Sequence, residues 1–437
     1  MFLGMLMGLL ATDAHPLDGD PDTGFGTNGQ VVLVRPQKTP GNATQPTGDL
    51  DVLADGRFLW AAPLDDGRVW VGRAWRGGTA DTTFGNDGTG IVTLPGCGLK
   101  RQVRLVADNE GGAYLWSNGC LRHVLDNGEL EAGFGNGEMP ADGFFAADLA
   151  RDPAGRFVLA GRDGQQVKAF RFDPNGVVDI TFGEAGSVEV EMPSTTGARD
   201  LHALVIRPDG RILVAGSRGN TTGHSLVVAQ LLTDGSPDPQ WGVDGLLDMA
   251  TPDGFNGMIA YALALDDDGS VVVAGKASNG SVSCCILLVR LDASGQLFPE
   301  FGLRFHQLSG QPGIYPFFEQ RDEVVILPNR RIIVGGISFP FVAPFGHRTQ
   351  YTLIRTFTDG RLDLGFGHNG WNSYTIADPV GAGQSGDYNQ MHAIGYDDTD
   401  GSMVIFGRTF FEDNSTGDDY VSLVRAKFDL IFDADFD

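Results

Sequence analysis

An acidic residue, two variable residues and an aromatic recur along the 437-residue chain at near-regular intervals. The aromatics are Phe25, Phe84, Phe134, Phe182, Trp241, Phe301, Phe366 and Phe432, and glycine follows the first seven. They stand 59, 50, 48, 59, 60, 65 and 66 residues apart, so eight marks bound seven units. A period of this length belongs to arrays in which each unit has a face that only its neighbour can cover.

Each unit carries the same phrases in the same order. After the aromatic comes a short alternating run, such as "SVEVEM" at 187–192. An apolar run into a turn follows, "LVIRPDG" at 204–210, then at once "RILVAG" at 211–216. After a variable loop a third run, "LVVAQLLTDG" at 226–235, leads to the next aromatic. Runs of five to eight residues rich in Val, Ile and Leu, cut by Asp-Gly and Asn-Gly turns, are strands and hairpins. No helical periodicity competes with them.

Four strands per unit and seven units predict an all-β, seven-bladed β-propeller with four antiparallel strands per blade. The "LVIRPDG" phrase is placed innermost and the run after Phe-Gly outermost. The first outer run, "VVLVRP" at 31–36, then has no blade of its own. It is expected to complete the last blade, beside "YVSLVRAKF" at 420–428, as the N-terminal strand that closes the ring. The expected division is a signal peptide at 1–14, one propeller at 17–433 and a tail at 434–437.

The phrase L-D-x-x-F-G-x-x-G followed by P-D-G and an apolar run resembles the delta-60 repeat family of exported bacterial proteins. The resemblance spans roughly residues 17 to 433 and implies repeat architecture and export, with no defined activity and no catalytic residues. The chain departs from it at Trp241, at Phe298 in the acid's place, and in the sixth copy, "LFPEFGLRF", which lacks the later glycine.

The repeated motif has a structural reading. The acid bonds main-chain amides two residues on, the aromatic drops between neighbouring units, and the glycine takes a positive φ or allows close approach. Glycine, 63 residues in all, is about twice its ordinary share. The formal net charge of −25 repels phosphate backbones and anionic lipids, so nucleic acid is excluded as a partner. The apolar run at 2–11, with Ala11 and Ala14 as cleavage points, reads as a signal peptide lacking its basic start. Export to the periplasm or beyond is expected, as a monomer without membrane insertion, since no other segment is a candidate span.

Alternating strand direction puts the short turns and the Phe-Gly connections on one face and the long, variable loops on the other. Loops carry function on rigid scaffolds. The candidate ligand-binding residues are therefore Tyr315, Phe339, Phe341, Phe345, His347, Arg348, Phe410 and Phe411, with Tyr420 nearby. Such aromatics stack on sugars or anchor a protein, or else pack on each other.

Cys97 and Cys120 fall on one face of one unit and are expected to form a disulfide; Cys284 and Cys285 are adjacent, with a vicinal bridge as the lesser reading. His202 and His392 occupy matching positions and could line the channel, but no metal site is assigned. Asp18, Asp20 and Asp22, Asp266 to Asp268, and Asp397 to Asp400 sit where turns are due; weak calcium binding is the alternative reading. No cofactor motif, nucleophile elbow, phosphate loop or zinc spacing is present. The leading expectation is a non-catalytic binding or surface-interaction module for a glycan or protein. The alternatives are a propeller lyase or hydrolase acting on polysaccharide and a purely structural envelope protein.

Overall fold

The computed structural model describes residues 18–34, 47–98, 102–117, 119–135, 144–193, 197–219, 223–279, 282–307, 315–317, 323–339, 341–342, 346–347, 349–377, 388–411 and 418–428. Every regular element among them is a strand. The expected signal segment and the tail lie outside these residues, as does Phe432.

The apolar runs pair into antiparallel sheets in chain order. One sheet joins Asp49–Val52, Phe58–Pro63, Val69–Ala74 and Ile91–Leu94. The next holds Val103–Ala107, Ala113–Ser117 and Cys120–Val124, three strands rather than the expected four, because residues 136–143 lie outside the described set. A further four-stranded sheet runs from Phe144–Arg151 to Ser187–Glu189. An eight-stranded sheet spans Arg199–Ile206 to Leu303–His306, and the strand ladder joins its two halves through one parallel pair, His224 with Gly257. The following sheet has a fifth strand, since Tyr315–Phe317 and Glu323–Ile326 both pair with Ile332–Phe339.

The innermost strands abut in succession and close on themselves. Asp49–Val52 packs beside Val103–Ala107, and the series continues through Phe144–Arg151, Arg199–Ile206, Gly257–Leu265, Glu323–Ile326 and Tyr388–Asp397, which returns to Asp49–Val52. Aspartates lace this inner ring. Asp49 accepts the Leu105 amide at 2.9 Å, Asp51 the Ala107 amide at 2.9 Å, and Asp148 the Leu204 amide at 2.9 Å. A buried main-chain donor needs such a partner.

The N-terminal strand closes the last sheet. Gln30–Val34 pairs antiparallel with Asp418–Lys427, Val32 opposite Ser422. The closure begins earlier than the sequence suggests: the Asp22 amide bonds Arg425 O, and Gly19 bonds Lys427 O, both at 2.7 Å. The chain is an all-β propeller whose two ends share one blade.

The core lies between sheets, where the motif aromatics sit. Phe25, Phe84, Phe182, Trp241, Phe301 and Phe366 are fully buried. The glycine after each of the seven has a positive φ, from 49° at Gly367 to 84° at Gly85. At Gly183 a Cβ would fall 2.2 Å from Ser187 O, so only glycine fits. The same glycines tie blade to blade. Gly26, Gly85, Gly135, Gly183, Gly242 and Gly367 each donate to a turn carbonyl of the adjoining blade, at 2.9–3.0 Å. Gly302, in the divergent sixth copy, bonds back to Phe298 O instead.

Candidate functional site

The motif acid is half of a repeated lock. Eight residues before it, on the third strand, stands an arginine whose Nε donates to it: Arg73 to Asp81, Arg171 to Asp179 and Arg355 to Asp363, each at 2.8 Å. The same guanidinium covers the motif ring, at 4.9 Å over Phe84, 4.7 Å over Phe182 and 4.9 Å over Phe366. A second arginine, from the first turn of the blade, reaches the same acid at Arg57–Asp81, Arg211–Asp238 and Arg331–Asp363. That contact places the short turns and the Phe-Gly connections on one face, as the strand order requires.

Substitutions within the lock are compensated. At 230 the arginine is Gln230, which donates to Asp238 while accepting from Arg207. At 298 the acid is Phe298; Arg290 stacks on that ring at 5.3 Å and takes Asp266 and Asp268. The aspartate clusters are thus engaged by cations: Asp18 by Arg355, Asp22 by Arg425 and Lys427, and Asp397 and Asp400 by Arg76 and Arg425.

One copy breaks the pattern and opens a cleft. In the second blade the arginine is His123 and the acid is Glu131. The imidazole bridges two carboxylates, Nε2 to Asp108 at 2.7 Å and Nδ1 to Glu131 at 2.8 Å. Burial alone would lower its pKa, but its hydrogen bonds to Asp108 and Glu131 raise it above the ordinary histidine value. Burial would lift Asp108; His123 and the amides of Glu110 and Gly112 hold it below the usual carboxylate range. Tyr114 stacks on His123 at 4.3 Å between centroids, and the Arg151 guanidinium lies 4.8 Å over the Tyr114 ring. Phe134, unlike the six fully buried motif aromatics, is only half-buried. These groups, with Asn109, Glu110, Pro174 and Asn175, line a polar cleft of about 520 Å³ on the short-turn face.

The loop-face candidates are distributed differently. Phe345 and Arg348 lie outside the described residues. Of Tyr315, Phe339, Phe341, His347 and Phe411 only strand pairing is described: Tyr315 opposes Phe339, Phe341 opposes His347, and Phe411 opposes Asp418. Phe410 is half-buried beneath the Arg408 guanidinium, at 3.9 Å. Tyr420, grouped with these rings by sequence, is instead a buried core residue.

His202 and His392 both occupy bulges of inner strands, where the register slips. His202 meets Tyr261 at 4.8 Å, and His392 Nδ1 accepts the Gly48 amide at 3.0 Å. Among the described residues no group of three His, Cys, Asp or Glu is arranged to hold a metal. A small cavity of about 120 Å³ is lined by Asp49, Asp148, His202, Tyr261 and Glu323 with apolar neighbours.

Cys97 and Cys120 form a disulfide, joining the connection after the first sheet to the third strand of the second. Cys285 is buried; the side chain of Cys284, the other half of the vicinal pair, lies outside the described residues. No helix among the described residues is long and apolar enough to cross a membrane.

The cleft was readable only in part. Glu131 for aspartate is visible in the repeat alignment, but His123 signals nothing until its arginine counterparts are known to grip the motif acid.

Residues 207–240 and 267–301 match the family described as a domain of unknown function (DUF5122) beta-propeller. No curated protein matches the sequence. Among solved structures the chain is similar to a protein of unknown function from Dyadobacter fermentans, at 12% identity over 87% of this chain and 98% of that one, TM-score 0.40. It is similar also to the Cps50 (Swd1) beta-propeller domain of Myceliophteria thermophila, at 13% identity over 90% and 99%, TM-score 0.39. A third is the polysaccharide lyase Uly1, at 10% identity over 93% and 96%, TM-score 0.37. The strand order and the matched family agree on a β-propeller.

Proposed function

We propose that the chain is a seven-bladed, extracytoplasmic propeller acting as a non-catalytic binding module for a glycan or protein. In this count the eight-stranded sheet is two blades sharing one bridge, and the three-stranded sheet is a blade in its own right. Export is supported by the Cys97–Cys120 disulfide, a bond favoured in oxidising compartments.

One observation carries the preference for binding over catalysis: the acids of the inner ring and the motif are already committed. Asp49, Asp51 and Asp148 each use both carboxylate oxygens on main-chain amides. The motif aspartates grip guanidinium groups or Gln230. A glycosidase needs two acids converging on an open substrate site, and these are spent on holding blades together. The loop-face candidates, Tyr315, Phe339, Phe341, Phe345, His347, Arg348, Phe410 and Phe411, remain the proposed contact surface for a large ligand.

A glycan array, followed by melting with each hit and with calcium, tests this. A melting shift with an oligosaccharide and no chain cleavage supports the module. Release of shortened or unsaturated products would replace it with a polysaccharide enzyme, and no shift with any glycan or protein extract would leave a structural envelope role.

A further inference from the structure

We propose that the cleft between the second and third blades is a carbohydrate subsite for a neutral pyranose. The proposal rests on the binding-module reading but puts this contact on the face opposite the long loops.

The cleft exists because one lock has been rebuilt. Where Arg73, Arg171 and Arg355 fill the corner beside a buried ring, His123 is shorter, and Phe134 stays half-exposed. The resulting volume, about 520 Å³, is within the range of small-ligand sites.

The lining mixes both signs. His123 bridges Asp108 and Glu131 through its two ring nitrogens, so neither carboxylate is left bare for a cation. Around it Glu110 accepts, Asn109 and Asn175 do both, and Arg151 donates. Arg151 is positioned by stacking on Tyr114 and Phe157, and its Nε is buried without a hydrogen-bond partner. No described acid ties that guanidinium down, so its edge can turn to a ligand hydroxyl. Phe134 adds an apolar surface beside these groups. A ligand matching all three features offers hydroxyls that both donate and accept, carries an apolar C–H face and has no net charge. A pyranose does so. A basic peptide would meet Arg151; a uronate would meet Asp108, Glu110 and Glu131.

Calorimetric titration of the full chain with cello-, manno-, malto- and xylo-hexaose, and with hexagalacturonate and hexalysine as charged comparators, tests the assignment. At least one neutral hexamer should bind, and more tightly than either charged probe. Arg151→Met, which keeps the stem over Tyr114, and Glu110→Ala, at an exposed side chain, should each weaken it about tenfold, the scale of one lost polar contact. Circular dichroism confirms that both variants remain folded. Binding that ignores both substitutions overturns the subsite while leaving the binding module in place, with the ligand on the loop face. Tighter binding of hexalysine or hexagalacturonate overturns the neutral-sugar assignment, and so does no binding by any neutral hexamer.

Discussion

Arg73 and Asp81 face each other at 2.8 Å with both side chains withdrawn from solvent. Burial alone would raise the Asp81 carboxyl, but Thr83, Arg57 and Arg73 hold it down at about 2. A depressed carboxyl stabilises the folded state above its ordinary value of 3.8 and loses that contribution as pH falls through the folded value. Asp81→Ala takes the Nε partner from the buried Arg73, which keeps Asp126 and Gly111 O, and is expected to cost about 2–3 kcal/mol, read by urea unfolding at neutral pH. The loss relative to the parent should shrink as the pH is taken from 4 towards 2. A variant as stable as the parent at neutral pH would show that the lock does not hold the blade.

The motif aromatics are expected to differ in worth by position. Phe182→Ala empties a fully buried site between blades and should destabilise by about 3–5 kcal/mol. Phe134→Ala, at the half-buried copy, should cost distinctly less in the same denaturant series. Equal losses would mean that Phe134 is as tightly packed as its counterparts.

The period and the Asp-Gly turns made the sheets and the closing strand legible, because alternation and turn chemistry act locally. Phe25 and Phe182 could be read as wedges for the same reason. The lock could not: Arg171 meets Asp179 only when two strands and a connection are folded together. The reach of Asp49 to the Leu105 amide, from one blade to the next, was equally hidden. The second-blade cleft needed both kinds of knowledge, since His123 is informative only against the arginines it replaces. Tyr420 was misassigned because an aromatic at a strand end carries the same sequence signal whether it faces loop or core.

Asp51 gives the opposite pH signature to Asp81. Burial drives its carboxyl up to about 6 in spite of hydrogen bonds from the Ala107 and Val52 amides. A raised carboxyl favours the folded state most below the ordinary value of 3.8, and this contribution fades as pH rises through 6. Asp51→Asn removes the charge but leaves one of the two amides without its acceptor, so the variant should gain on the parent by about 1–2 kcal/mol as pH rises from 4 to 7, whatever their difference at pH 4. Thermal melts across that window check the sign; a variant that does not gain on the parent contradicts it.

The Cys97–Cys120 bridge closes a short loop, its ends 23 positions apart. Cys97→Ser with Cys120→Ser should destabilise by about 3 kcal/mol. Reductant should lower the melting temperature of the parent and leave the double variant unmoved. A parent indifferent to reductant under denaturing conditions would show that the bridge does not form.

The last blade brings Asp22 to Arg425, 403 positions away. Its first partner leaves the ribosome before any of the inner strands and its second after all of them. Until then the opening segment has no sheet to join, and the earliest sheets have an uncovered neighbour. Maturation of this molecule is therefore a single late event: a growing chain can accumulate blades one by one, but the circle is completed only after the final strand has been delivered, and every premature stop upstream of it yields an open arc rather than a smaller wheel.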